Sequence, residues 1–243
     1  PETYGIAALL GGLGLLGLAR RHPWPLQTRL AMVQSAWLAL VALGPVGWVV
    51  LRHTPLYDGL RHFLFVVPLL AVLGGVSVAS YLRHRGRRPD GLLAAALLAG
   101  SAILTLSDMA VLHPYEAIYF NRLVAGGLAR AVDKYDTDYW CLTYKEGAEW
   151  LLARYAKSTC PEKIRVAGHS ILLQTSYYLK KTEEGRRLFM PVSMDDRPNF
   201  ALATTRFGDH LRTPGRLVHT VDRQGARLLY VFEVEPPACA AEP

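Results

Sequence analysis

Three long apolar runs constrain this chain more than anything else in it. Leu30–Leu51 has 22 residues without a charge, Phe63–Leu82 has 20, and Gly91–Leu112 carries only Asp108, near its end. A helix needs about 20 apolar residues to cross the hydrocarbon core of a bilayer. A fourth run, Tyr4–Ala19, is shorter and holds Gly11, Gly12, Gly14 and Gly17, small residues that permit close helix packing. Buried helices of a soluble protein are the competing reading, but runs this long joined by short loops favour a polytopic membrane protein. Their recurrence also argues against a removable signal peptide. Residues 1–113 are therefore expected to form a membrane all-α region of about four transmembrane helices. Pro45 and Pro68 fall inside the runs as kinks that a packed bundle tolerates.

Charge divides at the same place. Residues 1–113 hold 9 Lys+Arg and 4 Asp+Glu, out of 27 and 20 in the whole chain. The net charge of +7 is thus 5 from the first part and 2 from the second. Arg20, Arg21 and Arg29 lie between the first two runs, and Arg83, Arg85, Arg87 and Arg88 between the last two. Basic loops stay cytoplasmic, so residues 52–61 and 114–243 are expected on the extracytoplasmic side of an inner (plasma) membrane. Trp24, Trp48, Tyr57 and Tyr81 fall near the ends of the runs, as interfacial aromatics do. The basic clusters then record topology and neighbour membrane lipid headgroups; nucleic acid is not an expected partner.

Residues 114–243 read as a small extracytoplasmic α/β domain with a mixed sheet. Thr143 and Glu146 have capping-box spacing before a helix over about 144–157. Strands are expected at Lys163–Ala167, Arg187–Val192 and Phe200–Thr205, with a helix from a turn at Gly168 through Tyr178. Gly215–Thr220 and Arg227–Val234 flank a hairpin turn at Asp222–Gly225. Cys141, Cys160 and Cys239 all lie in this half, where oxidation is permitted. One bridge with one thiol, and three thiols, both remain open. The chain opens at Pro1 and enters an apolar run almost at once, so it reads as a fragment of a longer membrane protein.

Polar side chains at membrane depth are the first candidates for chemistry, because burying them there is costly unless they are paired or serve a ligand. Tyr57-Asp58-Gly59-Leu60-Arg61-His62 stands where an outward loop meets the third run. Arg61 suits bidentate capture of phosphate oxygens, His62 adds a donor, and Asp58 can orient both. A snorkelling Arg61 with a locally paired Asp58 is the competing reading. At the exit of the fourth run, His113, Tyr115 and Asn121 are candidates, with Tyr57, to line a substrate pocket; interfacial anchoring is the alternative for them. Asp108 has Arg61, His62 or solvent as prospective partners. Asp136 and Asp138, among Tyr135, Tyr139 and Trp140, are weak candidates for a divalent cation, against a solvated turn. Gly168-His169-Ser170 follows a strand without the flanking glycines of a nucleophile elbow. Walker, His-Glu-x-x-His and Cys-x-x-Cys patterns are missing.

Tyr57-Asp58-Gly59-x-Arg61-His62-x-Leu64-Phe65, His113-Pro114-Tyr115 with Tyr119-Phe120-Asn121, and Asp136-x-Asp138-Tyr139-Trp140 with Lys145-Glu146 together resemble one family. This is the C-terminal part of bacterial membrane glycosyltransferases of family 39 type, in the GT-C fold group, which includes protein O-mannosyltransferases and the aminoarabinose transferases of lipid A. The closing Leu229–Val234 strand also fits, and the resemblance spans about 55 to 235. It implies sugar transfer from a polyprenyl-phosphate carrier to an acceptor on the extracytoplasmic side, with Asp58, Arg61 and His62 at the donor phosphate. It also implies a catalytic carboxylate in an acidic outward loop; no matching loop stands in this sequence, so that residue is expected upstream. A membrane-anchored binding module without catalysis and a transporter fragment are the alternatives.

Overall fold

The computed structural model describes residues 26–55, 59–85, 88–132 and 134–239. It divides into two compact units, one through Leu106 and one from Ser107 onward.

The first unit is helical. Helix α1 is Leu26–Arg52, α2 is Val66–Arg85, and α3 is Pro89–Leu112, whose last turn belongs to the second unit. All three are long and apolar enough to cross a membrane. Their apolar side chains point outward on every side, Trp37, Leu40, Val41 and Leu43 of α1 among them. A helix that is apolar all round suits an apolar surrounding rather than water. Pro45 sits within α1 without ending it. The expected Phe63–Leu82 helix starts later, at Val66, after a 3-10 helix over Gly59–Phe63. Pro68 explains the shift: it falls in the first turn of α2, where a missing N–H costs nothing, rather than at an internal kink. The Tyr4–Ala19 run lies outside the described residues.

The second unit is an α/β domain. After a short 3-10 helix, Glu116–Ile118, come α4 (Leu128–Ala131), α5 (Tyr144–Tyr155), β1 (Ile164–Gly168), α6 (Leu172–Lys180), α7 (Glu183–Leu188) and β2 (Phe189–Val192). Then follow β3 (Phe200–Ala203), α8 (Asp209–Arg212), β4 (Arg216–Arg223) and β5 (Ala226–Glu233). The five strands form one mixed sheet in the order β2-β1-β3-β5-β4, with β1 parallel to both neighbours and the β3–β5 and β5–β4 pairs antiparallel. Alternation sets the core: Ile164 and Val166, Phe200 and Leu202, and Leu229 and Val231 cluster with Tyr144, Ala148, Leu151 and Tyr155 of α5. Each large side chain buried this way contributes about 1.5–3 kcal/mol. Gly147 lets α5 lie close, since a Cβ there would come 2.5 Å from Leu229 Cδ2.

Local chemistry moved some expected boundaries. The strand expected over Arg187–Val192 is α7 up to Leu188 and strand only from Phe189. Thr182 caps α7, its hydroxyl accepting from the Gly185 N–H at 3.0 Å. At α5 the capping box does not form: Thr143 makes no side-chain cap bond and Glu146 pairs with Arg223. The hairpin turn is Gln224-Gly225, with φ of 49° and 76°, the doubly left-handed geometry that matches strand twist.

The cysteines are resolved as one bridge, Cys160–Cys239, with Cys141 buried and free. Burial pushes the Cys141 thiol up to about 11, so it stays protonated and unreactive at neutral pH. The native chain is therefore expected to take up no maleimide without denaturant, and one equivalent after unfolding. Cys160→Ser is expected to lower the stability of the second unit by about 2–4 kcal/mol, read as an earlier loss of Cys141 protection in a denaturant series.

Candidate functional site

The residues singled out from sequence fall in both units. Arg61 and His62 lie on the 3-10 helix Gly59–Phe63, just before α2, with both side chains exposed. Tyr57 and Asp58 lie outside the described residues. In the second unit His113 is exposed, its Nδ1 2.6 Å from Glu116 Oε1. That hydrogen bond holds the Glu116 carboxyl below its ordinary value. Tyr115 is buried under the hairpin, in a cluster with Leu112, Ile118, Leu128 and Leu228. Asn121 uses its side-chain carbonyl to accept from the Val124 N–H at 2.7 Å, which fixes the loop after it.

A polar knot surrounds these residues. Asp108 is buried in the last turn of α3, and it takes neither solvent nor an expected partner as its main contact. Arg122 donates to its two oxygens from Nε at 2.9 Å and from a terminal nitrogen at 2.5 Å. Gln224, at the tip of the β4–β5 hairpin, donates to it at 3.1 Å. Next to Gln224, Arg223 pairs with Glu146 and sits over the Tyr115 ring at 5.3 Å. The Tyr115 hydroxyl has no well-formed hydrogen bond among the described residues. Burial and the nearby Glu146 charge raise its pKa well above the ordinary value. Apart from the Tyr115 hydroxyl, the charges of the knot are paired with one another, and they fix the hairpin against the end of α3.

Asp136 and Asp138 part ways within the turn, Asp136 exposed and Asp138 drawn inside. Asp138 is buried and accepts from the Leu142 N–H at 2.8 Å, the Thr143 N–H at 2.9 Å and the Thr143 hydroxyl at 2.5 Å. These bonds fix the turn that leads into α5. Desolvation raises its pKa, opposed by those hydrogen bonds. Asp136 accepts from the Phe207 N–H at 3.1 Å. Among the described residues, no group of three or more His, Cys, Asp or Glu could hold a metal ion.

A second polar cluster stands at the carboxyl ends of β1 and β3. The chain leaves β1 through α6 and α7 for β2 on one side, and β3 has β5 on its other side. Where a parallel sheet changes direction this way, a crevice opens beyond the strand ends, the usual place for a ligand in α/β folds. His169 and Ser170 follow β1, and Thr204 to Thr213 follow β3. Gly168 makes the turn after β1 tight, since a Cβ there would come 2.1 Å from Thr175 Oγ1. Buried Asp209 accepts from the Ser170 hydroxyl and from Arg212 at 2.8 Å. Its Oδ1 lies 3.6 Å from His169 Nε2, too far for a hydrogen bond.

The network also assigns the histidine tautomer. Thr213 donates its hydroxyl to the Asp209 carbonyl at 2.8 Å, so toward His169 Nδ1, also at 2.8 Å, it acts as acceptor. The Nδ1 then carries a proton. Ser170 addresses Asp209 and not His169, so this is not the relay of a serine hydrolase. The cluster offers a hydroxyl, an imidazole and a guanidinium in one place, a set suited to binding hydroxylated or anionic groups.

Phe207 borders this cluster under strain. Its φ is 50° and its ring is 60% exposed. A bulky side chain in the left-handed region costs energy and persists where surrounding contacts enforce it. Here they do: its N–H reaches Asp136, its carbonyl accepts from Arg212 at 2.8 Å, and Arg206 stacks between its ring and Tyr139 at 4.9 and 4.2 Å. Sequence reasoning noticed Gly168-His169-Ser170 but could not find Asp209, which lies 39 residues further on. Only the parallel pairing of β1 with β3 brings them together.

No protein-family model, curated protein or solved structure matches this chain. Its function must be argued from geometry. Asp209→Ala leaves the Ser170 hydroxyl without its acceptor and takes one of two acceptors from Arg212, and is expected to cost about 2–3 kcal/mol of stability. Ser170→Ala, which removes only the donor, is expected to cost about 1 kcal/mol or less. Chemical unfolding of the two variants checks the difference, and equal losses would mean that the serine is a structural brace.

Proposed function

We propose that the chain belongs to a membrane glycosyltransferase that takes a sugar from a polyprenyl-phosphate carrier and delivers it to an acceptor on the extracytoplasmic side. The supporting observation is the exposed Arg61–His62 pair on a short 3-10 helix leading directly into α2, a helix apolar enough to cross a membrane. A lipid-linked phosphate lies at the depth where such a helix begins, and a guanidinium there can bind its oxygens in a fork. Leaving-group charge on the phosphate would be stabilised by the same cation. The resemblance of the Tyr57–Phe65, His113–Asn121 and Asp136–Glu146 segments to family 39 glycosyltransferases of the GT-C group supports the reading. So does the Cys160–Cys239 bridge, since disulfides form and persist mainly in oxidising compartments. Arg61 and His62 are given binding roles; the attack of an acceptor hydroxyl needs a general base, which these residues do not supply.

Arg61→Ala in the full-length enzyme tests the assignment. Loss of a charge-assisted hydrogen bond worth about 1.5–3 kcal/mol would lower kcat/KM for the polyprenyl-phosphate sugar roughly 10- to 150-fold. Unchanged transfer and unchanged donor affinity would remove Arg61 from the donor site.

A membrane-anchored binding module is the second reading, favoured by the cluster at the carboxyl ends of β1 and β3. It expects the full-length protein to show no transfer from a polyprenyl-phosphate sugar. Retention on purified cell-wall sacculi would then fall with the double variant His169→Ala, Ser170→Ala.

A further inference from the structure

From Ser107 onward, large apolar side chains are exposed unevenly. Leu173 opens α6 directly beyond β1 and is 80% exposed; Leu211 follows β3 and is equally exposed, with Phe207 beside it. Leu123 and Val124, 77% and 86% exposed, stand on the loop that Asn121 holds. These positions share one edge of the domain. The β4–β5 hairpin connects them, because β5 begins at Ala226, while Ala203 at the end of β3 pairs with Tyr230. Four residues of strand, about 13 Å, therefore project past the carboxyl end of β3. At the tip of that projection Gln224 meets Asp108, which also holds Arg122, the neighbour of Leu123. Tyr135 stacks on Phe120 at 5.7 Å, and Asp136 takes the Phe207 N–H, closing the connection along the edge.

The opposite edge, at the amino ends of β1 and β2, has another character. Glu162, Lys163, Glu183 and Glu184 are exposed there. A cavity of about 170 Å³ at that end is lined by Lys163, Arg165, Asn199 and Glu235 among others. Tyr177, Met190 and Leu217 are exposed singly elsewhere, which is ordinary for any surface.

A concentration of leucine, valine and phenylalanine on one edge marks an interaction surface, and what adjoins it identifies the occupant. Asp108 lies four residues before the end of α3, about 6 Å along the helix axis. The exposed Leu123–Val124 loop is therefore fixed beside the final turn of a helix apolar enough to cross a membrane. Met109 and Val111 of that turn are also exposed. Arg206 and Arg212 stand among the apolar side chains but are held within the protein, Arg206 by the Tyr139 carbonyl and two rings and Arg212 by Asp209 and the Phe207 carbonyl, which lowers the cost of bringing them near lipid.

We propose that this carboxyl edge rests in the interface of the lipid bilayer, with Leu123, Val124, Leu173, Phe207 and Leu211 set among the headgroups and upper acyl carbons. The domain would then lie on the membrane along its whole edge rather than hang from α3 by a single chain crossing. This depends on α3 spanning a membrane and is independent of transferase activity.

Site-directed labelling of the full chain tests it. The sequence has three cysteines, two bridged and one buried, so a new surface cysteine labels selectively. Val124→Cys, Leu173→Cys, Leu211→Cys and the control Glu184→Cys each receive an NBD fluorophore. The proteins are reconstituted in phosphatidylcholine–phosphatidylglycerol vesicles. Quenching by a nitroxide high on a phosphatidylcholine chain is expected to be roughly twofold or more stronger at the three apolar positions than at Glu184. A water-soluble nickel chelate should show the reverse order. If the labels at 173 and 211 meet the aqueous quencher as readily as the control, the proposal fails, even with protection at 124. Such an outcome would leave the edge open for a protein partner.

Discussion

A carboxylate one turn inside the end of an apolar helix cannot stay unpaired at tolerable cost. Asp108 meets that constraint by taking a fork from Arg122 and an amide from Gln224. Those two partners come from distant places, the loop after the membrane-type helix and the tip of the last hairpin. The hairpin's neighbour Arg223 adds Glu146 at the start of α5. One buried charge thereby fixes the sheet, its leading helix and the exposed loop 121–125 in a common frame. Removing it would take the Asp108 fork from Arg122 and loosen the hold of the hairpin tip on the end of α3.

How much of this was legible follows from the range of each interaction. Apolar length is a property of contiguous residues, so the helices α1 to α3 could be read directly. The strand patterns likewise revealed β1, β3 and β5 within a residue or two and β4 except for its last three residues, and the mixed character of the sheet followed from helices alternating with strands. Capping failed as a guide. Thr143 and Glu146 had the right spacing, yet Asp138 captured the Thr143 hydroxyl and Arg223 captured Glu146, partners 5 and 77 residues away. The helix α7 was lost to β2 because Thr182 and Gly185 mark it only through a close turn. Asp108 with Arg122 and Ser170 with Asp209 are separated by 14 and 39 residues, and no local pattern encodes such pairs.

The candidate residues divide in the same way. Those read at the membrane boundary, Arg61 and His62, are exposed, and a ligand can reach them. Tyr115 and Asn121, chosen for the same reason, are consumed by packing and loop closure. Polar groups near an interface look alike in sequence whether they face a ligand or the protein; burial separates them, and burial is a tertiary property. The cluster at the carboxyl ends of β1 and β3 shows the converse. His169, Ser170 and Arg212 are unremarkable singly, and their meaning comes from the parallel pairing that places two strand ends side by side.

The same edge carries both the polar cluster and the exposed leucines, and this narrows what the domain could bind there. His169 turns its Nε2 toward Asp209, on which Ser170 and Arg212 also converge, so the centre of the edge is polar. Around it stand Leu123, Val124, Leu173, Phe207 and Leu211. The polar centre is largely satisfied within the protein, because Ser170 and Arg212 both spend donors on Asp209 and His169 Nδ1 is held by Thr213; the apolar rim is the part that remains open to its surroundings. The left-handed strain at Phe207 then has a physical reason: it turns an aromatic ring outward at the border between the polar centre and the apolar rim, where a ring can face both.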